Sequence, residues 1–535
     1  MTKYIVVTGG TLSGLGKGAT TAAMARLLSD ENRLVTIKCD GYFNVDPGTM
    51  NPFEHGEVFV LDDGGEVDMD FGNYERFLNI NSKSSWNLTS GKMLSELIEK
   101  ERKGDYLGAT VQYDPHLIEL IRDRFIQVGE DENADVVMIE IGGTINDNEN
   151  AWFIDAAKIL KQEVGQDNIM YAHLTFVPYL NNVGEIKTRI AQEDLADIRK
   201  RGINPDIVFC RGEQSLDQKI KEKIARKCGL GLERVISAED VETIYELPLN
   251  YEKQGILEII EEKLNLPAKV NLKKWKSYVD RIKNPYNKAK IAICGKYTGL
   301  QDSYASIIES LRIAGAHLDC AVDIVWTETT DKNSIESSLD EIMYDVNGII
   351  VPGGFGGRGT EGKIRVIQYA RENNIPYLGL CLGLQMAVAE YARNVCGLEG
   401  ANSTEADSKT EFPVVDIMPD QAKLKTKGGN MRLGAYEARI KPKTIVNRLY
   451  KKEETISERH RHRYEVNPSY HQLLQANGLV FSGTSQNGLL VEFIELKSHP
   501  YFVATQAHPE FKSRMEKPSP LFYGLVKAAM NNHKL

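Results

Sequence analysis

Residues 4–28 read YIVVTGGTLSGLGKGATTAAMARLL. An apolar run, Tyr4–Thr8, meets a glycine-rich stretch, Gly9–Gly18, and then an Ala- and Leu-rich helical pattern, Ala19–Leu28. Strand, glycine loop and helix in that order make an anion cradle: loop N–H groups wrap phosphates and the helix dipole adds attraction. Lys17 would reach the terminal phosphates. The strict P-loop spacing is not met, because Thr11 stands where the first glycine belongs and Gly18 where Ser or Thr should follow Lys17. The bland alternative is a glycine-rich turn. The missing hydroxyl removes one Mg²⁺ ligand, so carboxylates are sought elsewhere. Asp70 closes Asp68-Met69-Asp70, and Glu140 ends the apolar run of VVMIEIGG (136–143). A charge closing a buried strand is costly unless exposed, paired or ligated. Mg²⁺ takes oxygen ligands, few of them from protein. Each carboxylate alone would read as a helix cap or a solvated edge.

Outward from this stretch, short apolar runs alternate with helical ones, the pattern of parallel α/β sheets. Strand candidates in the first half are Tyr4–Thr8, Val35–Cys39, Val136–Ile141, Met170–Val177 and Asp206–Cys210. The second half offers Lys290–Cys294, Val322–Trp326, Gly348–Val351, Tyr377–Leu380 and Tyr501–Ala507. Residues 264–288, Lys-rich with Pro267 and Pro285, read as a linker with a short helix around Trp275. The expected division is 1–263, linker 264–288, and 289–535.

In the second half, Tyr377–Leu380 enters a helical stretch through Gly379-Leu380-Cys381-Leu382-Gly383. The same G-x-x-x-G spacing around serine is the nucleophile elbow, and the helix N-terminus beyond favours thiolate. A buried core cysteine is the bland alternative. A thiolate needs a base, and His508-Pro509-Glu510 follows a strand. On an extended chain, residues two apart face one side, so Glu510 would orient His508 toward Cys381. N–H groups of the loop Val351–Gly357 and of Leu382 would form an oxyanion hole.

The chain has 535 residues, and its 65 Lys and Arg against 75 Asp and Glu give −10. That length favours several domains, and the acidic excess argues against a nucleic-acid or membrane surface. Seven scattered cysteines, none at C-x-x-C spacing, argue against a disulfide framework or zinc site and for a reducing cytosol. The apolar run at the start is too short for a signal sequence, and no stretch is long enough to span a membrane. A cytoplasmic location is the expectation.

Segments spread over nearly the whole chain resemble the CTP synthase family. They include VTGG…GLGKG, NVDPGTMNPFEHGEVFV, YERF, IEIGGT, HLTFVPYL, VPGGFGGRG, GLCLGLQ, ANSTEAD, ERHRHRYEVN and HPEF. The resemblance implies two α/β domains. The N-terminal one is a P-loop NTPase-like (dethiobiotin-synthetase-like) amidoligase, and the C-terminal one a flavodoxin-like class I glutaminase. It implies ATP-dependent amination of UTP to CTP through a 4-phosphorylated UTP, with ammonia released from glutamine through a Cys381 thioester. ATP positions carried over are Gly14, Leu15, Gly16, Lys17, Gly18, Ala19, Lys38, Asp70, Glu239, Asp240 and Val241. Asp70 and Glu140 match Mg²⁺ ligands. Positions for UTP or inhibitory CTP are Ser13, Asp147, Asn148, Glu149, Lys187, Thr188, Arg189, Ile190, Ala191, Gln192 and Lys223. Glutamine positions are Gly354, Leu382, Gly383, Leu384, Gln385, Glu405 and Arg463. His55 and Leu107 match the synthase end of an internal ammonia passage. GTP as allosteric activator and a homotetramer are implied too.

Departures from the family pattern cluster at the pyrimidine nucleotide site. The usual Lys-Thr-Lys-Pro-Thr-Gln reads Lys187-Thr188-Arg189-Ile190-Ala191-Gln192, and Gly-Asp-Ile-Glu-Ser reads Asn146-Asp147-Asn148-Glu149-Asn150. Gly357 replaces the usual Tyr. Losing one or two hydrogen bonds of ~1 kcal/mol each would weaken UTP or CTP binding several-fold. The competing readings are another glutamine-dependent P-loop amidoligase such as a corrinoid amide synthase, a P-loop switch ATPase, and a catalytically silent filament-forming homologue.

Overall fold

The protein is described by a computed structural model covering residues 1–182, 184–296, 298–417 and 431–532. Its chain forms two compact units. Met1–Pro47 and Asp70–Lys276 make the first, and Gly48–Met69 and Ser277–Leu535 the second.

The first unit is built on seven parallel strands: β1 (Lys3–Gly9), β2 (Leu34–Asp40), β3 (Asn87–Thr89), β4 (Val136–Ile141), β5 (Ile169–Phe176), β6 (Ile207–Gly212) and β7 (Val235–Glu239). Their order is β7-β6-β5-β1-β4-β2-β3. Every residue of Val136–Ile141 is buried, which is why this strand reads as an unbroken apolar run and not as an alternation. The register pairs Val7 with Glu140, and Lys38 with Glu140 from the other side. Chemistry-bearing residues thus meet at the carboxyl ends of β1, β2 and β4, where parallel sheets bind ligands. Helix α1 (Lys17–Leu28) begins directly after the glycine loop. Its N-cap, Gly16, has φ +82°, a left-handed conformation that favours glycine.

The second unit carries a nine-stranded sheet: β8 (Asn287–Gly295), β9 (Cys320–Glu328), β10 (Gly348–Val351), β11 (Tyr377–Leu380), β12 (Arg432–Ile440), β13 (Thr455–His462), β14 (Val480–Ser485), β15 (Val491–Glu495) and β16 (Phe502–Thr505). The order is β9-β8-β10-β11-β16-β15-β14-β12-β13. The first five pair in parallel and the last five antiparallel, with β16 shared. Residues 264–288 contain the helix Lys273–Lys283. Its Trp275 is buried, with the indole N–H donating to the Tyr245 carbonyl at 2.7 Å.

Residues 48–69 precede most of the first unit in the chain yet pack in the second. Strand β13 explains this. Its Arg459 donates to Asp62 at 2.5 Å, and Arg461 to Glu66 at 2.7 Å. Phe59 packs edge-on against Phe511 with centroids 5.0 Å apart. The Glu57 carboxylate accepts the Ser306 N–H at 3.1 Å, at the start of the helix Ala305–Leu318. No helix among the described residues is long and apolar enough to cross a membrane, and all seven cysteines are free thiols.

Arg459 is fully buried. Removing the Asp62 carboxylate takes one anionic contact from this buried guanidinium, which costs about 2 kcal/mol. Asp62→Ala is therefore expected to lower the denaturation midpoint and to expose residues 48–69 to protease. An unchanged midpoint with unchanged cleavage would contradict this anchoring.

Candidate active site

In the first unit, the ammonium of Lys38 sits among carboxylates. Its Nζ lies 2.7 Å from Glu140 Oε1 and 3.9 Å from Asp40 Oδ1, and it also donates to Asp70 Oδ2. The Tyr74 hydroxyl donates to the other Glu140 oxygen. Burial pushes Glu140 above the usual carboxyl range while Lys38 pulls it back, and burial lifts Asp40 to about 6. Lys17 is buried beside them, its Nζ donating to the Gly143 carbonyl at 2.7 Å. Burial lowers its pKa, with Lys38 adding to the effect and Glu140 opposing it. Three carboxylates facing two ammonium groups leave the site short of positive charge. An oxygen-only donor set of this kind suits Mg²⁺. Among the described residues no group of three or more His, Cys, Asp or Glu is arranged to hold a metal by itself. Nucleotide phosphates would have to complete the coordination, so the residues fit a nucleotide-borne ion.

Gly18 lies against Asp70: a Cβ there would stand 1.9 Å from Asp70 Oδ1. The glycine that departs from the P-loop spacing is the one that lets the carboxylate approach the loop. Glu239 ends β7, Asp240 pairs with Arg211 at 2.7 Å, and Val241 follows, all at the same sheet edge. Ser13 and Gly14 are exposed on the loop.

The pyrimidine candidates are more spread. Thr188 caps the helix Arg189–Lys200, here α2, and accepts from Gln192 at 2.9 Å. Arg189 is exposed and paired with Glu193 at 2.7 Å, and Lys187 with Glu185 at 2.6 Å. Ile190 is half-buried, and Lys223 is exposed on the helix Gln218–Cys228. Ala191 is fully buried in an apolar cluster with Val177, Leu195 and Cys210. Its methyl therefore faces the core, and only its backbone remains for a ligand. Asp147 turns inward to accept the Thr144 N–H at 2.6 Å, while Asn148 and Glu149 are exposed. Leu107, matched to an ammonia passage, is 95% exposed. His55 lies in the second unit, 3.6 Å from Asp68.

In the second unit the elbow is a local conformational constraint. Cys381 has φ +50° and ψ −101°, a conformation L-residues rarely adopt, between β11 and α3 (Leu382–Asn394). Both flanking glycines are sterically required. A Cβ on Gly383 would stand 2.2 Å from the Val351 carbonyl, and one on Gly379 2.6 Å from the Tyr377 hydroxyl. His508 Nδ1 lies 2.7 Å from Glu510 Oε1. The pair forms across a short 3₁₀ turn, Pro509–Lys512, and not along a strand, because β16 ends at Thr505. Burial disfavours the His508 imidazolium, but Glu510 and Cys381 outweigh it and hold its pKa up at about 10. The backbone N–H of His508 is fixed by the Arg459 carbonyl of β13 at 2.7 Å. Gly353 faces the group so closely that a Cβ would stand 2.7 Å from His508 Cε1. Buried Lys363 donates to the Pro352 carbonyl at 3.3 Å, which fixes the direction of the next peptide. Burial, with Lys296 beside it, lowers its pKa to about 7.

A small cavity lined by Cys381, Gln385, Glu405, Arg463, Gly354 and Tyr464 adjoins a larger one of about 610 Å³ that His508 and Glu510 line. Glu405 accepts the Gly356 N–H at 2.7 Å. Burial raises its pKa, against Gly356, Lys296 and Arg463. The side-chain oxygen of Gln385 is buried without a hydrogen-bond partner, while its amide nitrogen donates to the Tyr464 carbonyl at 3.0 Å. A carboxylate, a guanidinium and an orphaned acceptor around one thiol match the ammonium and carboxylate of an amino acid. Residues 48–50, 57 and 58 also line the larger cavity. They and Tyr74 fall inside segments that carry the family resemblance but are given no role there, and Asp40 and Lys363 lie in no catalytic spacing.

Comparison with known proteins finds a family match for each half of the chain, the first of which takes in residues 48–69 as well. Residues 3–266 match the family described as CTP synthase N-terminus, and residues 299–528 the class-I glutamine amidotransferases. A CTP synthase of Caldanaerobacter subterraneus subsp. tengcongensis is 51% identical over 99% of both chains. That of Bacillus subtilis is 47% identical over 99% of both. A solved structure titled as the glutaminase domain of Trypanosoma brucei CTPS with bound acivicin is 36% identical over 46% of this chain and 96% of that one, with a TM-score of 0.43.

The His508–Glu510 pair carries a testable sign. A raised histidine pKa supplies stability that is complete below the unfolded value of about 6.5 and is lost as pH climbs through the folded value. That folded value is about 10. Between these limits the thermal midpoint should fall more in the wild type than in Glu510→Gln. Parallel curves for the two proteins would contradict the pairing.

Proposed function

The chain belongs to the CTP synthase family, and on that premise we propose that it aminates UTP to CTP with ATP and the amide nitrogen of glutamine. One observation carries the reading: a thiol, imidazole and carboxylate set for releasing ammonia shares a chain with a phosphate loop faced by carboxylates.

Glu405 and Arg463 receive the ammonium and carboxylate of glutamine, and Gly354, Gln385 and the turn Leu382–Leu384 seat its side chain. His508, oriented by Glu510 and held as the imidazolium near neutral pH, carries the proton that Cys381 has given up. The thiolate attacks the amide carbon, and the Gly353, Gly354 and Leu382 N–H groups face the developing oxyanion. His508 returns the proton to the leaving ammonia, and water then cleaves the thioester. In the first unit, Gly14–Ala19 hold the ATP phosphates, with Lys17 and Lys38 as cations and Glu239–Val241 near the base. Asp70 and Glu140 would hold Mg²⁺, which offsets the charge of the transferring phosphate. Ser13, Lys187–Gln192 and Lys223 bind UTP. Its 4-oxygen takes the γ-phosphoryl group of ATP, and ammonia then displaces phosphate at that carbon.

Regulation follows on family grounds. GTP activates glutamine hydrolysis, CTP inhibits through Asp147–Glu149, and the working form is a cytoplasmic homotetramer. The exposed Asn148 in place of the family's isoleucine leaves CTP a weaker inhibitor here.

The assay supplies UTP, ATP and Mg²⁺ with either glutamine or ammonium and follows CTP. Wild type is expected to form CTP from both, and Cys381→Ala from ammonium alone, with glutamine use down at least 10³-fold. No CTP from ammonium in the wild type would overturn the synthase reading, and undiminished glutamine use in Cys381→Ala the nucleophile assignment. A CTP titration as tight as that of a CTP synthase carrying the full family pattern would refute weakened feedback.

A further inference from the structure

Thr11, which breaks the P-loop spacing, spends both its donors on one carboxylate. Its N–H lies 3.0 Å from Asp194 Oδ1, and its hydroxyl donates to the same oxygen. The other oxygen, Oδ2, accepts the Thr175 hydroxyl at 2.5 Å, at the end of β5. Asp194 is 1% exposed. Gly10 makes room for it, since a Cβ there would stand 2.0 Å from Oδ2. The Gly10 N–H is itself tied to β5, at the Leu174 carbonyl, at 2.8 Å.

Asp194 does not belong to the loop it holds. It lies on α2, two residues beyond Gln192, the last of the Lys187–Gln192 stretch assigned to the pyrimidine nucleotide. Thr11 lies three residues before Gly14, where the ATP phosphates are assigned. The two nucleotide subsites adjoin in the chain at Ser13 and Gly14, and one buried carboxylate ties that loop to the helix carrying the rest of the pyrimidine site. Hydrogen bonds to a buried carboxylate are short, directional and costly to break. A small movement of the first turn of α2 must shift Thr11 or break them. Two sites influence each other's affinity when both bias one shared element.

We infer that Asp194 is a positioning residue that ties the phosphate loop to the pyrimidine-site helix, so that ATP and UTP bind with coupled affinities. The inference rests on the synthase reading for the identity of the two ligands. A plain structural role would stabilise the fold without linking them.

The experiment is calorimetric titration of the full-length protein with a non-hydrolysed ATP analogue, with and without saturating UTP. Binding is read directly, so an absence of CTP formation would count against the synthase reading and not against this one. In the wild type, UTP is expected to tighten the analogue by about tenfold, a usual size for coupling between sites. In Asp194→Ala the enhancement falls to about one. Asp194→Asn keeps an acceptor for the Thr11 N–H at unchanged volume and restores most of it. Thr11→Val lowers the coupling part-way, and adding it to Asp194→Ala changes nothing further, as for two residues acting through one contact. Glutamine hydrolysis without nucleotides is unaffected in all of them. Wild-type affinities independent of one another would overturn the inference. So would coupling retained in Asp194→Ala, or, should that variant not fold, coupling unchanged in Thr11→Val.

Discussion

A charge buried at the carboxyl edge of a parallel sheet must be answered by an opposite one, and both units are organised by that requirement. In the first, Lys38 Nζ stands 2.7 Å from Glu140, its direct partner in the strand register, with Asp70 and Asp40 closing round it. In the second, Glu510 holds His508 at 2.7 Å against the burial that would strip its proton. Either set left unpaired would cost several kcal/mol per ion, about half the stability of a typical domain. The pairing makes the charge affordable, and the edge makes it accessible to ligand.

Glycines do complementary work at these edges. Gly18 admits Asp70 to the phosphate loop, Gly383 lets the elbow pass the Val351 carbonyl, and Gly10 makes space for Asp194. In each case the missing side chain is what lets an anion or a backbone oxygen approach. Two of them, Gly18 and Gly10, flank the loop whose spacing departs from the strict P-loop. The departures are thus compensated by neighbours far off in the chain.

Much of this was legible in the residues alone. The strand–loop–helix at 4–28, the elbow around Cys381 and His508-Pro509-Glu510 are local patterns, and local patterns survive in a sequence. The rest depends on distance. Thr11 and Asp194 are 183 residues apart, and Arg459 and Asp62 are 397 apart. Strand β13, TISERHRH, has no apolar alternation that would announce its burial. Arg459, His460 and His462 are nonetheless almost fully buried, because acidic partners elsewhere answer the arginine. The turn at Pro509 brings His508 and Glu510 together where an extended strand was the expectation. Ala191 matched a ligand position by pattern, but its helix turns the methyl into the core.

On the proposed function, nitrogen released at Cys381 becomes the amino group of CTP. Glutamine carrying ¹⁵N in its amide, supplied with UTP, ATP and Mg²⁺ in unlabelled ammonium buffer, tests it most directly. Mass spectrometry of the product should show CTP carrying ¹⁵N well above its share of the ammonium pool. Labelled ammonium free in solution, with CTP at the isotopic ratio of the buffer, would contradict it.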